Sequence, residues 1–98
     1  MEIILRKSNK PDKKFMVRID DKKTIHFGSK GMSDFTIHKD TERKNRYINR
    51  HKKRENWTKS GIKTAGFFAK HILWNKPTIQ QSINDTEKRF NIKIKYIK

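Results

Sequence analysis

Apolar and polar positions alternate twice near the start of the chain. In "KKFMVRID" Phe15, Val17 and Ile19 fall on one side and Met16, Arg18 and Asp20 on the other; in "KTIHF" Ile25 and Phe27 are separated by His26. A period of two is the signature of a strand with one buried face. Asp20, Asp21 and Lys22 between them supply hairpin-turn chemistry, because Asp tolerates the bends that a tight turn imposes. "EIILR" is a further short strand, cut off by the turn residues Asn9, Pro11 and Asp12, and a glycine-bearing loop, "GSKGMSDF", follows the second alternation. The period then lengthens. No Gly or Pro interrupts residues 40–55, where Asp40 or Thr41 can cap a helix. Ile62, Ala65, Ala69 and Ile72 recur at helical spacing, with Phe68 and Leu73 alongside and Gly61 and Gly66 permitting close backbone approach. Pro77, Thr78 and Gln81 mark the start of a third helix with Ile79, Ile83, Thr86 and Phe90 inside. "IKIKYIK" returns to a period of two, with Ile92, Ile94 and Tyr96 on one face.

The expected architecture is a single small α+β domain spanning residues 1–98, with a strand-rich part (1–37) and a helical part with a C-terminal strand (38–98). Ninety-eight residues leave no room for a second core, and no repeat or linker divides them. The absence of cysteine excludes disulfides and thiolate metal sites. "MEIILRKSNK" lacks the apolar run of a signal peptide, so the chain is expected not to be secreted. No stretch approaches the roughly 20 apolar residues of a membrane span.

Charge changes the picture most. Lys and Arg number 26 against 10 Asp and Glu, a formal net charge of +16. Self-repulsion of that size opposes folding and invites a polyanion, with nucleic acid first and an anionic membrane surface second. The excess is concentrated: between Lys39 and Lys59 stand nine basic and three acidic residues. On a helix Arg43, Arg46, Arg50 and Lys53 share one edge, with Arg54 close by, and Lys59 and Lys63 extend the track. A solvated helix would mix signs and use Glu–Lys pairs; here Glu42 and Glu55 are the available partners, and Arg forks onto phosphate oxygens. Trp57 is the aromatic placed for stacking on a base, with packing as its alternative. Phe67, Phe68 and Trp74 are assigned to the core.

"WTKSGIKTAGF" admits a phosphate held by backbone amides, Ser60 and Thr64, or a helix cap by Ser60; it is not a Walker loop. His26, His38, His51 and His71 fall in separate elements without metal-ligand spacing, and no nucleophile–base pair can be named. A nuclease would have to bring His38, Asp40, His51 and Glu55 together in space. Asp40 and Glu55 are more simply a cap and an intrahelical partner for Arg or Lys. No catalytic residue, metal or cofactor is expected.

"SDFTIHKD", "RYINRHKKRENW", "SGIKTAGF" and "LWNKPT", within residues 27–90, resemble a family of small basic proteins encoded by large nucleocytoplasmic (giant) DNA viruses. Phe68-Ala69-Lys70 departs from the Trp-containing run expected there. The resemblance implies a virion interior or infected-cell viral factory as the setting. It brings no established activity. The combined expectation is a non-catalytic, largely sequence-independent protein that condenses or organises a viral genome. Duplex DNA is the first partner and RNA the alternative. The second reading is a minor capsid or inner-shell protein whose basic face meets acidic core or capsid proteins or anionic lipid. Oligomeric state is left open.

Overall fold

Four strands form one sheet in the order β3-β2-β1-β4. The computed structural model describes residues 1–98. Strands β1 (Glu2–Lys7), β2 (Lys13–Ile19) and β3 (Lys23–Ser29) make an antiparallel meander, and β4 (Lys93–Ile97) lies parallel to β1. Asp20 and Asp21 both take left-handed φ values, 49° and 57°, and the Lys22 N–H closes the turn on the Ile19 carbonyl at 2.9 Å. This is the turn chemistry expected of the two aspartates.

The register pairs Ile3 with Ile19, Leu5 with Val17, and Phe15 with Phe27. Alternation therefore turns Ile3, Leu5, Val17, Ile19, Ile25 and Phe27 to one face, where all six are buried. The helical segments between β3 and β4 cover that face, with Phe67, Phe68, Ile72, Leu73 and Ile83 completing the core. The opposite face has no cover: Ile4 is 38% exposed, beside Arg6, Arg18 and Lys95. This is the expected α+β domain. Its radius of gyration, 12.5 Å, is that of one compact unit of this length, about 13 Å.

A short helix that the sequence reading did not foresee, α1 (Phe35–His38), follows the glycine loop. Asp34 caps it through the Thr36 N–H at 2.9 Å, and the buried Asp34 carboxylate also takes the Lys14 ammonium at 2.5 Å. Helix α2 spans Thr41–His51, capped by Asp40 as expected. It stops four residues before the expected end. The N–H groups of Arg54 and Glu55 both fold back on the His51 carbonyl, so the chain turns and brings Trp57 against Tyr47.

The helix expected through residues 62–74 is broken. A 3₁₀ turn at Lys59–Gly61 comes first, then α3 (Ala65–Phe68), which widens into a π-helical turn at Ala69–Leu73. The wide turn brings three consecutive side chains, His71, Ile72 and Leu73, into the interior. The His71 carbonyl is occupied by Asn75 Nδ2 (3.1 Å) and Thr86 Oγ1 (3.2 Å). Helix α4 (Ile79–Phe90) is capped by Thr78 and buries Ile83 and Thr86, as the inner stripe predicted.

Candidate nucleic-acid interface

Helix α2 has little apolar surface, so one aromatic residue anchors it. Tyr47 is its buried residue and lies parallel to Trp74, with ring centres 4.3 Å apart and planes 3° apart. His51 also stacks on Tyr47 at 4.3 Å, and Trp57 lies 6.5 Å away at 15°. Two lysines brace this group. Lys44 Nζ donates to the Asn75 carbonyl at 2.6 Å and stands 4.9 Å from the Phe35 ring centre, and Lys70 Nζ lies 5.6 Å from the Trp57 ring centre. Burial holds both ammonium groups below the usual lysine range; Lys76 then adds to the effect at Lys44, and Arg89 at Lys70. The Tyr47 hydroxyl is pushed up to about 12, first by burial and then by Glu55.

Tyr47 packs inward, and the side chains that flank it on α2 are in solvent. Arg43, Arg46 and Arg50 are all exposed and span roughly 10 Å of helix. Lys53 and Arg54 continue into the turn after α2, Lys59 stands in the 3₁₀ turn and Lys63 in the loop before α3, all exposed. None of these seven cations is in an ion pair; the chain's three ion pairs are Lys14–Asp34, Arg18–Asp21 and Arg89–Asp85. The edge shifts its neighbours. His51 is lowered by burial and then by Arg54 and Arg50, and His38 by burial and then by Arg43.

Trp57 is half-buried, its ring between stacking on Tyr47 and contact with Lys70. Its carbonyl faces His71 Nε2 at 3.0 Å. Those contacts are the packing alternative. Phe67 and Phe68 are fully enclosed, and Trp74 packs at the edge of the core.

The stretch from Ser60 to Gly66 differs from the expectation in two ways. Thr64, and not Ser60, caps the following helix, accepting from the Phe67 N–H at 3.2 Å. Ser60 Oγ is instead tied to Asn56 Nδ2 at 2.8 Å. The Glu55 carboxylate lies against Gly66 at the start of α3, where a phosphate would meet like charge. Glu55 also lies beyond the end of α2, so it is not an intrahelical partner within that helix.

Asp40 is engaged as a cap, and its own N–H donates to His38 Nδ1 at 2.9 Å. No group of three or more His, Asp or Glu side chains converges as metal ligands would. No helix is long and apolar enough to cross a membrane. Little in the sequence alone marks Lys44, Lys70 and Trp74 as the supports of α2. Lys44 lies three residues before Tyr47 on the helix, which is the one local hint; the other contacts are long-range.

Residues 3–51 match the model of DUF5754, a family of unknown function. The matched half of the chain contains the meander, α1 and α2, and with them Arg43, Arg46, Arg50 and Tyr47. No curated protein and no solved structure matches the chain. The chain belongs to the DUF5754 family.

Proposed function

We propose that this DUF5754 protein is a non-catalytic nucleic-acid-binding protein whose α2 edge grips phosphates with little regard to sequence. The observation that supports it best is that Arg43, Arg46 and Arg50 on α2 are exposed and unpaired, as are Lys53, Arg54, Lys59 and Lys63 after it in the chain. Seven exposed cations without carboxylate partners within residues 43–63 carry self-repulsion that a polyanion relieves. Guanidinium groups on an exposed helix edge suit phosphate oxygens, and phosphate contacts fix position without reading bases. The resemblance to giant-virus proteins supplies the setting: organising or condensing a viral genome, in a virion or viral factory.

The test is affinity for a generic duplex across a salt series. Seven phosphate contacts give a log–log slope of roughly −6, and replacing Arg43, Arg46 and Arg50 with Gln makes it shallower by about 3. A slope near zero overturns the reading. Competition with structured RNA decides between DNA and RNA.

The uncovered sheet face favours the second reading, a minor shell protein. Ile4, Met16 and Ile97 there sit among Arg6, Arg18 and Lys95, a mixture suited to an acidic protein surface. Retention with the shell of disrupted particles after nuclease and high salt would favour it; release would favour genome binding.

A further inference from the structure

The arginine edge does not border a flat surface. A cavity of about 280 Å³ lies beside it, with Arg43, Arg46 and Arg50 on one wall and Met32 and Ser33 of the loop after β3 on the other. Tyr47 and Trp74 complete it, and no carboxylate lines it. A second cavity, also about 280 Å³, shares Met32, Ser33, Tyr47, Arg50 and Trp74 with the first and runs inward to Gly28, Ala69 and Leu73. Its one acidic residue, Asp34, is neutralised by Lys14.

The combined groove has two chemically different ends. Three guanidinium groups stand at the mouth. The inner end is lined by Gly28, Ala69, Leu73 and Trp74, with Ser29, His51 and the Lys14–Asp34 ion pair beside them. Gly28 is needed there: its φ is 76°, and a Cβ would collide with Leu73. Met32, 66% exposed, is a flexible apolar lip of the kind that adapts to a flat ligand. The two volumes together lie in the usual range of small-ligand sites, roughly 300–1,000 Å³.

We propose that this groove takes one unpaired nucleotide, its base inserted beneath Met32 against Trp74 and Leu73 and its phosphates on Arg43, Arg46 and Arg50. A bare phosphate would use the mouth alone, and an apolar ligand would leave the arginines idle. A nucleotide satisfies both ends. A paired base in a duplex cannot reach the inner end without leaving its stack, which costs a few kcal/mol. The protein therefore prefers single-stranded over duplex nucleic acid. The proposal rests on the phosphate-gripping role of the α2 edge and adds to it the form of nucleic acid selected.

The experiment compares an oligothymidine with a duplex of equal phosphate number at one salt concentration, by fluorescence anisotropy. The single strand should bind about tenfold tighter, the size of one favourable base contact. Thymidine monophosphate should also change the fluorescence of Trp74, read in a Trp57→Phe variant, at concentrations where inorganic pyrophosphate does not. Ser33→Leu, which fills the groove without altering charge, should abolish the single-strand excess and leave duplex affinity and salt slope intact. Met32→Ala, at an exposed position, should reduce the excess severalfold and covers the case in which the Ser33 variant does not fold. Equal affinity for both nucleic acids, a pyrophosphate response matching that of the mononucleotide, or an excess that survives both variants overturns the proposal. Failure of the natural chain to bind either nucleic acid would instead overturn the phosphate-gripping role itself.

Discussion

Stability should fall on mild acidification because of one buried histidine. His71 is 1% exposed, with its ring centre 4.4 Å from that of Phe67 and 4.9 Å from that of Phe90. Its Nε2 lies 3.0 Å from the Trp57 carbonyl and so must donate; Nδ1 is then the bare nitrogen, buried without a partner. Protonating Nδ1 would enclose a charge and an unused donor in an aromatic pocket. Burial accordingly pushes the imidazole down from 6.5 to about 4; the Trp57 bond opposes that shift, and Lys70 and Arg89 add to it. The folded state binds this proton less tightly than the unfolded state, so stability rises with pH between about 4 and 6.5. The contribution is fully present above the unfolded value and lost as pH falls toward the folded one. A displacement of this size corresponds to roughly 3 kcal/mol, lost at up to about 1.4 kcal/mol per pH unit.

Urea unfolding followed by tryptophan fluorescence at several pH values measures it, with His71→Phe as the reference. Phe leaves the Trp57 carbonyl without its donor, a cost of about 1–3 kcal/mol that does not depend on pH. The stability advantage of the natural chain over the variant should therefore shrink steadily between pH 7 and about pH 4.5 and reverse sign if the proton cost exceeds the lost bond. His38 and His51, which are also lowered, titrate in both chains and cancel in the difference. A difference that stays constant with pH would refute the neutral, enclosed imidazole.

Two further outcomes test how the candidate interface is built. Tyr47→Ala removes the ring stacked on Trp74 and His51 and should cost about 3–5 kcal/mol, with amide hydrogens of residues 41–51 exchanging much faster than those of the sheet. Gly61→Ala and Gly66→Ala look alike in the sequence and should differ in effect. A Cβ at Gly61 meets the rigid backbone carbonyl of Asn56, and thermal or urea unfolding should show a loss of about 1–3 kcal/mol. At Gly66 it meets only the movable end of Glu55, and helix propensity offsets the displacement to within about 1 kcal/mol.

What local chemistry controls could be read directly from the residues. The two alternating strands, the Asp20–Asp21 turn, and the Asp40 and Thr78 caps are interactions between near neighbours, and each was placed correctly. The excess of cations is likewise independent of fold: ten carboxylates cannot pair with 26 Lys and Arg, so a bare basic surface had to exist somewhere. Contacts between distant residues decided the rest. Residues 52–55 have no local helix breaker, yet α2 stops at His51 because the chain must turn to lay Trp57 on Tyr47. The 62–74 pattern suits a regular helix. It becomes a π-helical turn where Asn75 and Thr86 bind the His71 carbonyl and His71, Ile72 and Leu73 all pack inward. The groove is the furthest from the sequence: its walls come from α2, the loop after β3 and the π-helical turn, and no single segment encodes it. Local bonds are set by spacing along the chain; a concave surface forms only when segments far apart in sequence are packed together.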